Sequence, residues 1–171
     1  VLLSKYFIYM FLAPWHEVLR EKIKHKKQYP WVSIFIPAYN EGQGVVETVK
    51  TILASNYKRL EIIVVNDGSK DNSDVLMREL VASHLQEDIV LRYFYKENGG
   101  KARALNFALE KAVGDIIITI DADCALLPTT VSEFVRTFDN PKTMAAVGNV
   151  RVGNNSTLVG VVQSLEFLFS F

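Results

Sequence analysis

LEIIVVNDGSKDNSD, residues 60–74, changes character in the middle. Its first half is apolar but for Glu61 and shows no polar alternation, which suits a strand buried on both faces. The strand is expected to end at Asn66. Asp67-Gly68 is then a strong turn signal, and Asp71, Asn72 or Ser73 can each cap a helix that starts near Ser73. A buried strand, a short polar loop and a helix make one βα unit, and such units build parallel sheets.

The same succession recurs on both sides. VSIFIP (32–37) predicts a strand before the helix GVVETVKTILAS (44–55), and IVLRYFY (89–95) a strand after the helix that runs from 73 to about 86. A helix over 101–112, a fourth strand DIIITI (115–120) and a helix over 129–138 complete the alternation. The expected fold class is α/β, a mainly parallel sheet flanked by helices. Ligands of such sheets bind beyond the carboxyl ends of the strands, so the chemistry is to be sought in the strand-to-helix loops.

Composition sets outer bounds. The chain has 171 residues, enough for one domain with a real core. Lys plus Arg equals Asp plus Glu, 19 each, which argues against nucleic acid as a partner. One cysteine, Cys124, excludes an intrachain disulfide and a multi-cysteine metal site. The chain starts at Val1 and stops within the apolar run SLEFLFSF, which reads as a fragment of a longer protein.

Residues 1–13, VLLSKYFIYMFLA, are apolar apart from Ser4 and Lys5 but too short to cross a bilayer alone. Arg20, Lys22, Lys24, Lys26 and Lys27 crowd the stretch that follows. Two readings stand: the end of a membrane helix with its basic cytoplasmic flank, or an amphipathic surface helix with a solvated charged face. A secretory signal is disfavoured, because its basic residues would precede the apolar run. The expected organisation is a membrane-proximal segment over 1–30, the α/β domain over 31–153 and an apolar helix over 154–171.

Each strand end offers polar residues with an ordinary structural use. In PAYNEG (37–42) Pro37 closes the strand, and Glu41 is favourable near a helix N-terminus. At the second strand tip Asp67 can form a turn, or accept the N–H edge of a base or a hydroxyl, with Gly68 leaving room for a planar ring. In KENGGKARALN (96–106) Gly99-Gly100 lets the backbone approach a ligand, and a helix N-terminus with Lys101 and Arg103 favours an anion. Neither common phosphate cradle is present. Tyr95 and Ala102 break a Walker A loop, and Glu47 replaces the third glycine of a Rossmann fingerprint after Gly42 and Gly44.

The fourth strand ends in Asp121-Ala122-Asp123. Carboxylates this close repel, so a cation or a structural use must offset the cost. A hard divalent ion, Mg²⁺ or Mn²⁺, takes oxygen ligands and shares them with phosphates. Capping of the helix after Pro128 is the alternative.

Taken together, PAYNE (37–41), VVNDGSKDNS (64–73), NGGKARALN (98–106) and DADC (121–124) resemble the family 2 glycosyltransferases in order and spacing. The likeness runs over 32–152 and is strongest to the membrane-embedded processive members that make poly-N-acetylglucosamine, chitooligosaccharide, hyaluronan and cellulose. It implies a Rossmann-like nucleotide-sugar-binding domain. Tyr39, Glu41 and Asp67 match positions that hold the uridine, and Lys101 one near uracil and the diphosphate. Asp121 would lie near the ribose and metal, and Asp123 would ligate the metal. Pro37 and Ala122 complete the donor-binding set.

The implied activity is metal-assisted inverting transfer from a UDP-sugar, UDP-N-acetylglucosamine or similar, to a growing glycan acceptor. It would need Mg²⁺ or Mn²⁺ and would take place at the plasma membrane, with the catalytic domain facing the cytoplasm. By the same resemblance GNVRV (148–152) is a strand beyond the site, and Gln163 and Glu166 fall in a helix near the membrane channel. The family's general-base motif and its Gln-x-x-Arg-Trp motif are not found, and both are expected beyond Phe171. Two rivals are a non-catalytic nucleotide-sugar-binding module and a D-x-D-x-T phosphatase, in which Ala125 would stand where Thr is required.

Overall fold

A computed structural model describes residues 29–84 and 88–149. The membrane-proximal expectation before residue 29, most of GNVRV, and Gln163 and Glu166 lie outside the described residues. The elements are β1 (Val32–Ala38), α1 (Gln43–Leu53), β2 (Leu60–Asp67), α2 (Ser73–Ser83), β3 (Ile89–Lys96), α3 (Lys101–Lys111), β4 (Ile116–Thr119) and α4 (Thr130–Thr137). Every strand and helix expected in this span is present, with ends moved by one to three residues.

Pro37 does not close β1, which runs on to Ala38. The reason lies in where its backbone points. Phe35 accepts the N–H of Ile120 at 3.0 Å, so the odd residues of β1 turn their backbone groups toward β4. The β4 ladder stops at Phe35↔Thr119, and no donor is asked of Pro37.

The sheet is parallel throughout, in the order β3-β2-β1-β4. Three strands step outward in one direction, then the chain returns to set β4 on the far side of β1. The direction of winding therefore reverses between β1 and β4, the switch point where a crevice opens above an α/β sheet.

The reversal also divides the helices. Ile34, Ile36, Ile62 and Val64 face α1, α2 and α4 through Val45, Val49, Ile52, Met77, Val131 and Val135. Phe35, Ile63 and Val65 face α3, where Ala104 and Ala108 admit a close approach. β2 is buried along its whole length, as its unbroken apolar run requires. Each such Val, Ile or Leu contributes about 1.5–3 kcal/mol by leaving water.

The exception in that run is Glu61, only 1% exposed. It accepts the Ser33 hydroxyl at 2.5 Å and the Val113 N–H at 2.7 Å, and Arg92 pairs with it at 3.2 Å. Ser33 Oγ in turn accepts the Gly114 N–H at 2.8 Å. The carboxylate thus ties three strands to the α3–β4 connection at the end of the sheet away from the crevice. Among the described residues no helix is long and apolar enough to cross a membrane.

Candidate functional site at the strand tips

An open crevice of about 280 Å³ lies at the switch point. It brings together the whole donor-binding and metal set the resemblance implies, though not Arg103: Pro37 in β1, Tyr39 and Glu41 after it, Asp67 at the tip of β2, Lys101 at the start of α3, and Asp121, Ala122 and Asp123 after β4. Ala38 also lines it and was not foreseen.

The β1 loop is stitched to the β2 loop. Asn40 adopts φ 56, a left-handed conformation that asparagine tolerates better than most residues. Its N–H donates to Ser69 Oγ at 2.9 Å, and its Oδ1 accepts the Lys70 N–H at 2.8 Å. Gly42 donates its N–H to Asp71 Oδ2 at 2.9 Å and to Ser73 Oγ at 2.8 Å. Tyr39 and Glu41 therefore flank a residue held from both sides. Burial pushes the Asp71 carboxyl up, but the Ser73 hydroxyl and N–H and the Gly42 N–H together hold it below the usual carboxylate range.

Asp67 is nearly buried, and its carboxylate is well occupied. Lys96 pairs with Oδ1, Gly99 donates its N–H at 3.0 Å and Gly100 donates to Oδ2 at 2.6 Å. Burial pushes this carboxyl up, and the Lys96 ammonium with the Gly100 and Gly99 N–H groups brings it below the usual range. Gly99 also reaches Oδ2 at 3.2 Å, so three donors make four contacts on the about four acceptor sites of the carboxylate. Lys96 was missed from the sequence, although it stands beside Asp67 in the β2–β3 register.

The room expected beside Gly68 is not open. Gly68 has φ 76, and a Cβ there would stand 2.7 Å from the backbone nitrogen of Asn98. Glycine is required for the β3 loop to close over the β2 tip, not to admit a ring. Gly100, at φ 88, is different: nothing lies within 4 Å of where a Cβ would project, and the start of α3 is open to a ligand.

The paired aspartates have their cation. Lys101 Nζ donates to Asp121, and both side chains are more than half exposed. Such a pair is worth about 1 kcal/mol or less, so a ligand can part it at small cost. Asp123 is exposed, and among the described residues no cation pairs with it. Ala122 between them is 3% exposed and packs in the core, while both flanking aspartates are exposed.

Capping does not explain the aspartates, since the N-cap of α4 is Thr129 and no side chain bonds there. Burial and the carboxylates of Asp123 and Asp121 push the Cys124 thiol up. No group of three or more His, Cys, Asp or Glu side chains that could hold a metal occurs among the described residues. Two oxygen-donor carboxylates fit Mg²⁺ or Mn²⁺ that completes its shell with ligand phosphates and water, and do not fit an all-protein cage.

An open parallel sheet whose acidic and basic loops meet at its switch point is the arrangement in which α/β domains bind their ligands. The sequence model of Glycosyl transferase family 2 matches residues 33–169, and the chain belongs to that family. It is 31% identical over 165 residues to a poly-beta-1,6-N-acetyl-D-glucosamine synthase of Staphylococcus epidermidis, over 96% of this chain and 39% of that protein. The chain thus spans about two-fifths of that relative's length. The mannosyltransferase PcManGT of Pyrobaculum calidifontis, solved with GDP-Man and Mn²⁺, superposes with a TM-score of 0.66 at 28% identity, over 83% of this chain and 43% of that one. TarS 1-349 of S. aureus, solved with UDP-GlcNAc, shares the fold at a TM-score of 0.56 and 19% identity, over 72% of this chain and 38% of that one.

Proposed function

We propose that the crevice binds a UDP-sugar together with Mg²⁺ or Mn²⁺, and that the whole protein transfers the sugar with inversion to a growing glycan. The observation that carries this reading is the meeting of Tyr39, Glu41, Asp67, Lys101, Asp121 and Asp123 in one crevice at the β1/β4 switch point. Tyr39, 46% exposed, offers a ring face to the base. Glu41 and Asp67 take N–H or hydroxyl groups of the uridine, Asp67 by giving up its longer contact to Gly99. Lys101 and the open N-terminus of α3 meet the diphosphate, which a helix start favours. Asp121 holds the ribose side and the metal, and Asp123 the metal. The ion would supply neutralisation of the charge that develops on the leaving diphosphate.

The product named for the S. epidermidis relative supports an N-acetylglucosamine donor. The Mn²⁺ bound in the mannosyltransferase supports a divalent ion. A plasma-membrane location with this domain in the cytoplasm is supported by the apolar residues 1–13 and the basic cluster over 20–27.

Calorimetric titration of the chain with UDP, GDP and ADP, each with Mn²⁺, tests the donor. UDP should bind tighter than either purine nucleotide by about tenfold or more, roughly 1.4 kcal/mol. Equal affinities would remove base reading from Asp67 and Glu41. Preference for GDP would replace the donor class by that of the mannosyltransferase.

A further inference from the structure

The carboxylates of Asp121 and Asp123 sit on a segment with little backbone support. β4 ends at Thr119, and from there to α4 at Thr130 the chain has no ladder partner beyond the bond from Ile120 to Phe35. At its far end Asn56, past α1, donates its N–H to the Pro128 carbonyl at 3.0 Å, and nearer the aspartates the segment is held by α1. Thr48 donates its hydroxyl to the carbonyl of Ala122 at 2.8 Å, in the buried interior. Thr51 Oγ1 accepts the N–H of Leu126 at 3.1 Å and donates to the Thr48 carbonyl at 2.8 Å. Residues three apart lie on one helical face, so the two threonines form one seam.

We infer that Thr48 is a positioning residue for the metal-binding aspartates. Its donor goes to the peptide that joins Ala122 to Asp123, not back to a carbonyl of its own helix as mid-helix threonines often do. Thr48 is 2% exposed and Ala122 3%, so water does not replace this bond. The bond fixes the tilt of the peptide plane from which the Asp123 side chain departs. Metal sites lose affinity when a ligand is displaced by a fraction of an ångström. Thr48 does not line the crevice, so it acts through the peptide it holds.

This rests on the reading of Asp121 and Asp123 as metal-linked, and the test separates the two. The full chain and its Thr48→Val and Thr48→Ser variants are titrated with UDP plus Mn²⁺ and, separately, with uridine in EDTA. Valine keeps the shape and removes the donor; serine keeps the donor. Thr48→Val should lose on the order of tenfold in Mn²⁺-dependent UDP affinity while its uridine affinity stays within about twofold, and Thr48→Ser should bind both as the wild type does. The inference is overturned if Thr48→Val binds UDP with Mn²⁺ normally, if it loses UDP and uridine in equal proportion, or if serine fails to rescue. Wild-type UDP affinity indifferent to Mn²⁺ would overturn the metal reading before any substitution. Should Thr48→Val not fold, Thr51→Val takes its place. It frees Leu126, farther along the same segment, and should give a smaller loss of the same Mn²⁺-dependent kind; no loss, or an equal loss of uridine, overturns the inference.

Discussion

Gly100 donates its backbone N–H to Asp67 Oδ2 at 2.6 Å, so the start of α3 is tied to the tip of β2. Asp67 is thereby both a crevice acid and the clamp that shapes the Lys96–Gly100 loop. Its carboxyl is held below the ordinary range, so its stabilising effect is complete above about pH 4 and is lost as pH falls through the lowered value. Asp67→Asn should cost about 1–3 kcal/mol at neutral pH and should flatten the loss of stability between pH 5 and acid. Urea unfolding across that interval reads both. An acid decline as steep as the wild type's would show that Asp67 is not ionically clamped.

Asn40 tests the stitching of the first two loops. Glycine there keeps the φ of 56 at no steric cost but loses the acceptor for the Lys70 N–H, while alanine loses the acceptor and adds strain. Asn40→Ala should therefore be less stable than Asn40→Gly by about 1 kcal/mol in denaturant melts. Equal stabilities would mean that the left-handed conformation is not held in solution.

Glu61 stands at the opposite end of β2 from Asp67, about 20 Å away at strand rise. Glu61→Ala leaves the Ser33 hydroxyl, the Val113 N–H and Arg92 without their acceptor and should cost about 3 kcal/mol. UDP affinity of the folded protein should stay within about twofold of the wild type. A selective collapse of UDP binding would mean that the two ends of the sheet are coupled, contrary to this account.

The alternation of elements was legible because unbroken apolar runs such as Ile62–Val65 admit few structures other than a strand covered on both faces. The candidate site was legible because its residues sit at strand tips, which the topology gathers without further information. Side-chain bonds that cross the fold were not legible. Nothing local distinguishes Thr48 from a surface threonine, and its partner Ala122 is 74 residues away. Gly68 was read as making room for a ligand, yet Asn98, thirty residues on, occupies that room. The role of Glu61 in an otherwise apolar strand was not legible either, because Ser33, Arg92 and Val113 meet it only once the sheet has formed.

The amino-terminal reading is tested at a membrane. The apolar residues 1–13 and five basic residues within 20–27 should hold the chain on anionic liposomes. Each basic residue near such a surface contributes roughly 1 kcal/mol, screened by salt, whereas apolar insertion persists. Sedimentation should show binding that is partly salt-sensitive and drops greatly on deletion of residues 1–29. A chain that stays in the supernatant at low salt favours the amphipathic surface helix.

The central claim is that Asp121 and Asp123 meet the donor diphosphate through a divalent ion. Calorimetry of UDP binding, with Mn²⁺ and with EDTA, on the wild type and on Asp123→Asn, tests it most directly. UDP affinity should fall on the order of a hundredfold in EDTA, and Asp123→Asn with Mn²⁺ should fall about as far, a few kcal/mol in each case. The same UDP affinity in all four titrations would contradict the account.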